Sequence, residues 1–407
     1  MKILILGYGP AAISALRAIS EHKKSQSKTR VTIVAPENHA PYSPMFLVEL
    51  GLGDITRRRL SLPTPSDTIP YTVISGHKVT GIHAKNKTVL LDNDEKLTYD
   101  RLLIATGASA VKPPVKGIQK SRVLTINRLS DTYRLRHHLG PASNILVVGA
   151  GAIGIESALA FAGRGKKVTV IEALKQILPL MLDGDMAEYV QRNIEKKGIS
   201  FCLDSPVSEI TGQRRAEGVV VNERHVEGDL VIISTGFRPN TGFLKSPDIG
   251  IQRGILVNER METSFKGIYA AGDVVETRNP FSDRYELNFT WYSAVEQGWT
   301  AGCNIMGMDK KCLYSPSLNV MKGLDFTVAS IGQKVQEGNS EILAFRNEKA
   351  GVLEKIYLNN NFIEHYQVIG VPDKVGYLYN LIKNRKNVAH IKNYLLENKF
   401  SPIYLVG

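Results

Sequence analysis

Lys2-Ile3-Leu4-Ile5-Leu6-Gly7-Tyr8-Gly9-Pro10-Ala11-Ala12 is the stretch that decides the fold. Four apolar residues, too few for a helix, run straight into Gly-x-Gly-x-x-Ala, and a helix-compatible segment follows from Ala11 to His22. The pattern is a strand, a tight turn and a helix start. Gly7 makes the turn, Gly9 lets a pyrophosphate approach the backbone, and a small residue at Ala12 lets helix and strand pack closely. Pro10 suits the first helical turn, where its missing N–H costs nothing. Exposed backbone N–H groups, Ala11 included, and the positive helix end then form an anion site. One such fingerprint is weak evidence, because glycine turns after strands are common.

The pattern returns at Asn144-Ile145-Leu146-Val147-Val148-Gly149-Ala150-Gly151-Ala152-Ile153-Gly154, again entering a helix, which runs through Ala162. Val31–Val34 and Val168–Ile171 supply a second strand to each copy. Glu37 lies about three residues past the first, and Glu172 follows the second, about 20 residues beyond its glycines, where the acid that bonds the adenosine ribose belongs. A carboxylate at Glu172 accepts from a free 2′-hydroxyl and repels a 2′-phosphate, which favours NADH over NADPH. Two complete fingerprints imply that electrons pass between two bound dinucleotides, and a flavin with a nicotinamide is the natural pair.

At 407 residues and 43% hydrophobic content the chain is long enough for two or three domains with buried cores. No apolar run reaches the roughly 20 residues that span a bilayer, and Gly7 breaks the opening run, so a cytoplasmic location is the expectation. Cys202, Cys303 and Cys312 include no Cys-x-x-Cys, and neither a disulfide framework nor a metal site is expected. The formal charge is +12. Its basic clusters, Lys23-Lys24, Arg57-Arg58-Arg59, Arg214-Arg215 and Lys383 to Lys386, lack a nucleic-acid module with interleaved aromatics. They read as solvated faces or as a docking surface for an acidic redox protein.

Between and beyond the fingerprints, His39 to Met45 is a proline-rich loop, residues 48 to 70 look like a mobile surface excursion, and Val73 to Leu103, Val79 included, reads as several strands. Two buried strands end in glycine turns, Ala105-Thr106-Gly107 and Thr235-Gly236. A third, Ile268–Ala271, meets Gly272-Asp273, where the aspartate can hold the hydroxyls of a flavin's ribityl chain. The helix expected over Trp291–Met306 can aim its dipole at a flavin ring. Asp373–Ile382 has helical spacing.

These five signals, in this order, resemble the FAD-dependent pyridine nucleotide-disulfide oxidoreductase superfamily, in its branch of NADH oxidases, rubredoxin and ferredoxin reductases and nitrite reductase flavin domains. The resemblance implies an α/β, glutathione-reductase-like fold with two Rossmann-type domains and an α+β C-terminal interface domain. It divides the chain into an FAD domain over residues 1–110 and 236–310, an NADH domain over 111–235 and an interface domain over 311–407. It implies Val79 as a further flavin contact and Glu156 as the residue beside the nicotinamide, and sets Pro41, Tyr42, Met45, Trp291 and Glu296 around the isoalloxazine.

Departures matter as well. Relatives carry a redox cysteine near Met45, whereas this loop reads Tyr42-Ser43-Pro44-Met45, so a flavin–thiol relay is not expected. Glu49 stands where the ferredoxin-reductase lysine would be. Three functions fit: a free-standing NADH:acceptor oxidoreductase, the NADH-handling flavoprotein subunit of a larger iron–sulfur complex such as a 2-oxoacid:acceptor oxidoreductase, and a redox-sensing interaction module. The expected partners are NADH and an acidic ferredoxin- or rubredoxin-like protein or iron–sulfur subunit, with homo-oligomer or hetero-complex assembly; no nucleic acid and no membrane span are expected.

Overall fold

Ile3, Leu4, Ile5 and Leu6 are all buried, as a strand flanked on both faces requires. They belong to Lys2–Leu6, the central strand of a five-stranded parallel sheet ordered Ile268–Ala270, Arg101–Ile104, Lys2–Leu6, Arg30–Ala35, Tyr71–Ser75. The computed structural model describes residues 1–22, 28–65, 69–245, 247–321, 323–334 and 340–396. Lys23 and Lys24 lie outside the described residues, as does part of the C-terminal region.

The chain divides into two compact units. One comprises Met1–Met45, Arg57–Ser109 and Arg238–Ser315. Its parallel sheet carries the helices Pro10–Glu21 and Trp291–Ile305, which pack on each other through Gly298 and Gly302 against Ala11 and Ala15. Close helix approach needs residues without bulk at the crossing, and these two glycines provide it. An antiparallel meander, Val79–His83, Thr88–Leu91 and Lys96–Thr98, completes the expected run of strands; Gly81 lies inside it at a register shift.

The second unit comprises Phe46–Thr56, Ala110–Phe237 and Pro316–Gly407. It repeats the parallel layout, ordered Ile199–Cys202, Lys167–Ile171, Asn144–Val148, Leu230–Ile233, Val123–Leu124, with the helix Ala152–Ala162 following its central strand. It also holds a five-stranded antiparallel sheet, Leu318–Met321, Thr327–Ile331, Phe362–Gly370, Val352–Asn359 and Glu341–Asn347, with the helix Val375–Lys383 against it. Among the described residues no helix is long and apolar enough to cross a membrane.

The expected mobile excursion over residues 48 to 70 is instead ordered where it is described. Leu47–Leu52 and Arg57–Leu60 are short helices, and Leu50, Leu60 and Ile69 are buried. Leu47–Leu52 sits against Leu129–Leu139: Gly51 faces the Leu135 side chain, and the Arg136 guanidinium donates to the Leu50 carbonyl at 2.7 Å. Arg164 and Asp54 form an ion pair in the same unit.

Candidate functional site

Each parallel sheet ends in the same backbone collision. Gly7 has φ +107, and a Cβ there would lie 2.1 Å from the Ala105 carbonyl oxygen; Gly149 has φ +107, and a Cβ there would lie 2.2 Å from that of Ser234. Both glycines are thus required twice, by the left-handed backbone and by the neighbouring strand. The Gly7 N–H donates to Val34 O at 2.8 Å and the Gly149 N–H to Ile171 O at 2.8 Å. The segments Ala105–Gly107 and Thr235–Gly236 therefore lie beside their own glycine turns.

Gly9 and Gly151 head the helices that begin at Pro10 and Ala152, no side chain caps either, and a Cβ at either would meet nothing within 4 Å. The space beside each of these glycines is thus open, and no side chain caps the helix that follows. Gly154 packs so tightly that a Cβ would stand 2.1 Å from Gly149 O, whereas its counterpart Ala12 carries a methyl group and is fully buried. Ala11 is buried too, while in the second turn Ala152 is half-buried and Ile153 exposed.

The two acids are not equivalent. Glu172 directly follows Lys167–Ile171; its Oε2 accepts the Ala150 N–H at 2.7 Å and its Oε1 the Leu174 N–H at 3.0 Å. By register the same place in the first unit is Ala35, and Glu37 stands two residues further on. There it accepts the Tyr42 hydroxyl at 2.8 Å. Pro41 and Ser43 are held by Leu62 and Leu60 through bonds of 2.9 Å and 2.8 Å, and Met45 is 49% exposed.

Gly272 and Asp273 follow Ile268–Ala270. The Gly272 N–H donates to Gln297 Oε1 at 2.9 Å, and Gly272 lies against the methyl groups of Ala11 and Ala294. The sequence, in which Ala294 to Gly298 resembles the family, gives Gln297 no role; its signal is a glutamine on the buried face of a helix that otherwise buries mostly small residues. Asp273 has no such partner, and burial pushes its carboxyl up to about 7. Asn240, to which the sequence assigns no role, donates to Thr106 O at 2.8 Å and receives the Ser109 hydroxyl at 2.8 Å, bracing the Thr106 turn. Thr235 Oγ1 bonds Val111 O at 2.9 Å in the other unit.

The first unit therefore gathers Gly7–Ala12, Ala105–Gly107, Gly272-Asp273 and the Ala294–Gly298 part of a helix, on which Trp291 and Glu296 also lie. The second gathers Gly149–Gly154, Thr235-Gly236 and Glu172, with Glu156 half-buried on the helix after the turn. Val79 packs on the first unit's core.

The model of the pyridine nucleotide-disulphide oxidoreductases matches residues 1–298. The chain belongs to that family. It is 33% identical over 330 residues to an NADH oxidase of Methanocaldococcus jannaschii, covering 78% of this chain and 72% of that protein. It is 27% identical over 357 residues to the epsilon subunit of NADH-dependent phenylglyoxylate dehydrogenase of Aromatoleum evansii, covering 86% and 83%. Among solved structures, NADH:rubredoxin oxidoreductase from Clostridium acetobutylicum superposes with a TM-score of 0.78 at 26% identity, covering 100% of this chain and 98% of that one.

This pyridine nucleotide-disulphide oxidoreductase is accordingly an FAD-dependent NAD(P)H oxidoreductase of glutathione-reductase-like fold. Its residues fit the cofactors: open space beside Gly9 and Gly151 ahead of each helix, and in Asp273 a half-buried carboxylate, desolvated enough to be raised to about 7, to which a sugar hydroxyl can donate. FAD, when bound, supplies a ring that takes hydride from a nicotinamide and releases electrons onward.

Proposed function

We propose that this chain oxidises NADH and passes the electrons to an acidic protein acceptor of ferredoxin or rubredoxin type, with no thiol between. The first unit holds FAD: Gly7, Gly9, Pro10, Ala11 and Ala12 at the diphosphate, Glu37 at the adenosine ribose, Gly272 and Asp273 at the ribityl chain. Val79, Ala105, Thr106 and Gly107 complete that pocket, with Pro41, Tyr42, Met45, Trp291 and Glu296 toward the ring. Gly149, Gly151, Ala152, Ile153, Gly154, Glu172, Thr235 and Gly236 hold NADH, with Glu156 beside the nicotinamide. The FAD domain is residues 1–110 and 236–310, the NADH domain 111–235, and the interface domain 311–407.

The observation that carries this reading is the pairing of two glycine turns with identical strand collisions, 2.1 Å at Gly7 and 2.2 Å at Gly149, each opening on an uncapped helix. Such machinery does little side-chain chemistry; it orients one ring against another and keeps water out. NADH is the preferred donor because a second negative charge beside Glu172, as on a 2′-phosphate, is repelled. The test is a spectrum of the purified protein with anaerobic NADH. A yellow chain bleached quickly by NADH and slowly by NADPH is expected; a colourless chain that rejects added FAD ends the proposal.

The likeness to the phenylglyoxylate dehydrogenase epsilon subunit favours a second reading, in which this chain is the NADH-handling subunit of an iron–sulfur oxidoreductase. Copurification of stable iron–sulfur partners selects it. Rapid NADH turnover by the isolated chain with added rubredoxin or oxygen selects the free-standing enzyme.

A further inference from the structure

Asp183 directly precedes the helix Gly184–Glu195, a position where aspartate ordinarily caps the first turn, yet its side chain makes no cap there. It turns instead to the C-terminal antiparallel sheet. Gln367 Nε2 donates to it at 3.1 Å, Lys355 Nζ at 3.1 Å, and the Tyr357 hydroxyl donates as well. In return the Asp183 backbone N–H donates to Gln367 Oε1 at 2.9 Å. Lys355 stands opposite Gln367 in the register and Tyr357 two residues along, so the three project from one face. Asp183 has thus exchanged a local cap for a bond across 184 positions of sequence.

What Asp183 anchors is the segment that begins at Glu172. Leu174 N–H bonds Glu172 Oε1 at 3.0 Å, and Leu178 N–H bonds the Ala150 carbonyl at 2.8 Å. Near its end, the Leu182 carbonyl accepts from Gln176 at 2.9 Å and from Lys334 at 3.1 Å. Ala150, the middle residue of the Gly149–Gly151 turn, is therefore held on both sides: its N–H by Glu172, its carbonyl by the segment that Asp183 ties down.

We propose that Asp183, with Lys355, Tyr357 and Gln367, is a positioning cluster for NADH, by which the C-terminal sheet keeps the 173–182 segment, and through it Ala150 and Glu172, in dinucleotide-binding geometry. The proposal rests on the reading that Gly149–Gly154 and Glu172 bind NADH. The proposal gives none of the four a part in the chemistry. Their effect falls on the affinity of the nucleotide and leaves the chemistry unchanged.

The experiment compares the full FAD-loaded chain with Asp183→Ala, Tyr357→Phe and Gln367→Leu. The expected result is a KM for NADH raised about tenfold in Asp183→Ala and severalfold in the others, with kcat and FAD content within about twofold of the parent. Amide exchange at Leu178 should quicken in parallel. Lys197→Gln, which breaks the surface ion pair with Asp325, should move none of these. If Asp183→Ala does not fold, Tyr357→Phe removes a single hydroxyl and decides by the same readout. An unchanged KM for NADH with only a lowered Tm would overturn the proposal. Failure of the parent protein to bind NADH at all would overturn the reading beneath it, and this with it.

Discussion

Gly298 lies so close to Ala11 that a methyl group on it would stand 2.2 Å from the Ala11 carbonyl oxygen. The contact sets the helix Trp291–Ile305 directly against the helix whose first turn closes the Gly7–Ala12 motif. Gly298→Val must push the two apart. Overpacking of this kind costs about 1–3 kcal/mol, so Tm should fall by several degrees. If that helix start holds the FAD diphosphate as proposed, FAD should leave the protein more readily on gel filtration. Retention of FAD with unchanged Tm would contradict the geometry.

Asp273 predicts a pH dependence with a definite sign. Burial raises its carboxyl to about 7, so in the ligand-free protein it stays neutral where the unfolded chain is already ionised. Its burial costs nothing below the ordinary carboxylate value of 3.8; the cost grows as pH rises from there to about 7, and is complete above. Ligand-free protein should therefore gain stability on Asp273→Asn at about pH 8 and gain nothing at about pH 4. FAD hydroxyls donate best to the ionised carboxylate, so FAD affinity should rise through pH 7 in the parent and stay flat in Asp273→Asn. Thermal unfolding of the ligand-free protein checks the first expectation, and flavin fluorescence titration the second.

If Glu172 lies at the NADH ribose as proposed, it governs donor choice. With its carboxylate removed and a cation supplied nearby, as in Glu172→Ala combined with Ala173→Arg, the ratio of kcat/KM for NADH over NADPH should fall by at least tenfold, since one paired charge is worth on the order of 1.4 kcal/mol or more. Glu172→Ala also frees the Ala150 N–H, so the double variant should lose some affinity for both donors. Steady-state kinetics with each donor checks the expectation.

Thiol chemistry should be dispensable. Cys303 and Cys312 are buried, and burial raises the Cys303 thiol further above neutrality. The loop Tyr42-Ser43-Pro44-Met45 carries no cysteine. Native protein treated with iodoacetamide should keep its NADH-dependent activity within about twofold; stoichiometric inactivation protected by NADH would refute a thiol-free route.

Arg57, Arg58 and Arg59 are exposed on one short helix. Its last residue, Leu60, accepts from the Ser43 N–H, and the Leu62 N–H just beyond donates to the Pro41 carbonyl. If an acidic acceptor docks by charge, its KM should rise steeply with salt, while a neutral quinone acceptor should show no such dependence. Arg57→Glu with Arg59→Glu should reproduce the high-salt behaviour at low salt.

Local sterics were legible in the sequence. Gly7 and Gly149 announce turns because no other residue tolerates their backbone, and the apolar runs before them announce strands. Glu172 was legible by spacing. Glu37 was less so, because its two-residue displacement from the register place of Ala35 and its bond to Tyr42 depend on how the loop folds back. Gln297, Asn240 and the order of Leu47–Leu52 were invisible for a common reason: each is fixed by partners far along the chain, as Leu50 is by Arg136 across 86 positions.

The segment Phe46–Thr56 is flanked on both sides by residues of the first unit but packs within the second. Cutting the gene at Lys112-Pro113-Pro114, just inside the second unit, would leave Leu135 without the neighbour that Gly51 provides, and Arg136 without its carbonyl. A dissected nucleotide module would thus be sticky at that face unless the eleven-residue insert were grafted back, and a single proteolytic nick between Met45 and Arg57 should loosen both units at once.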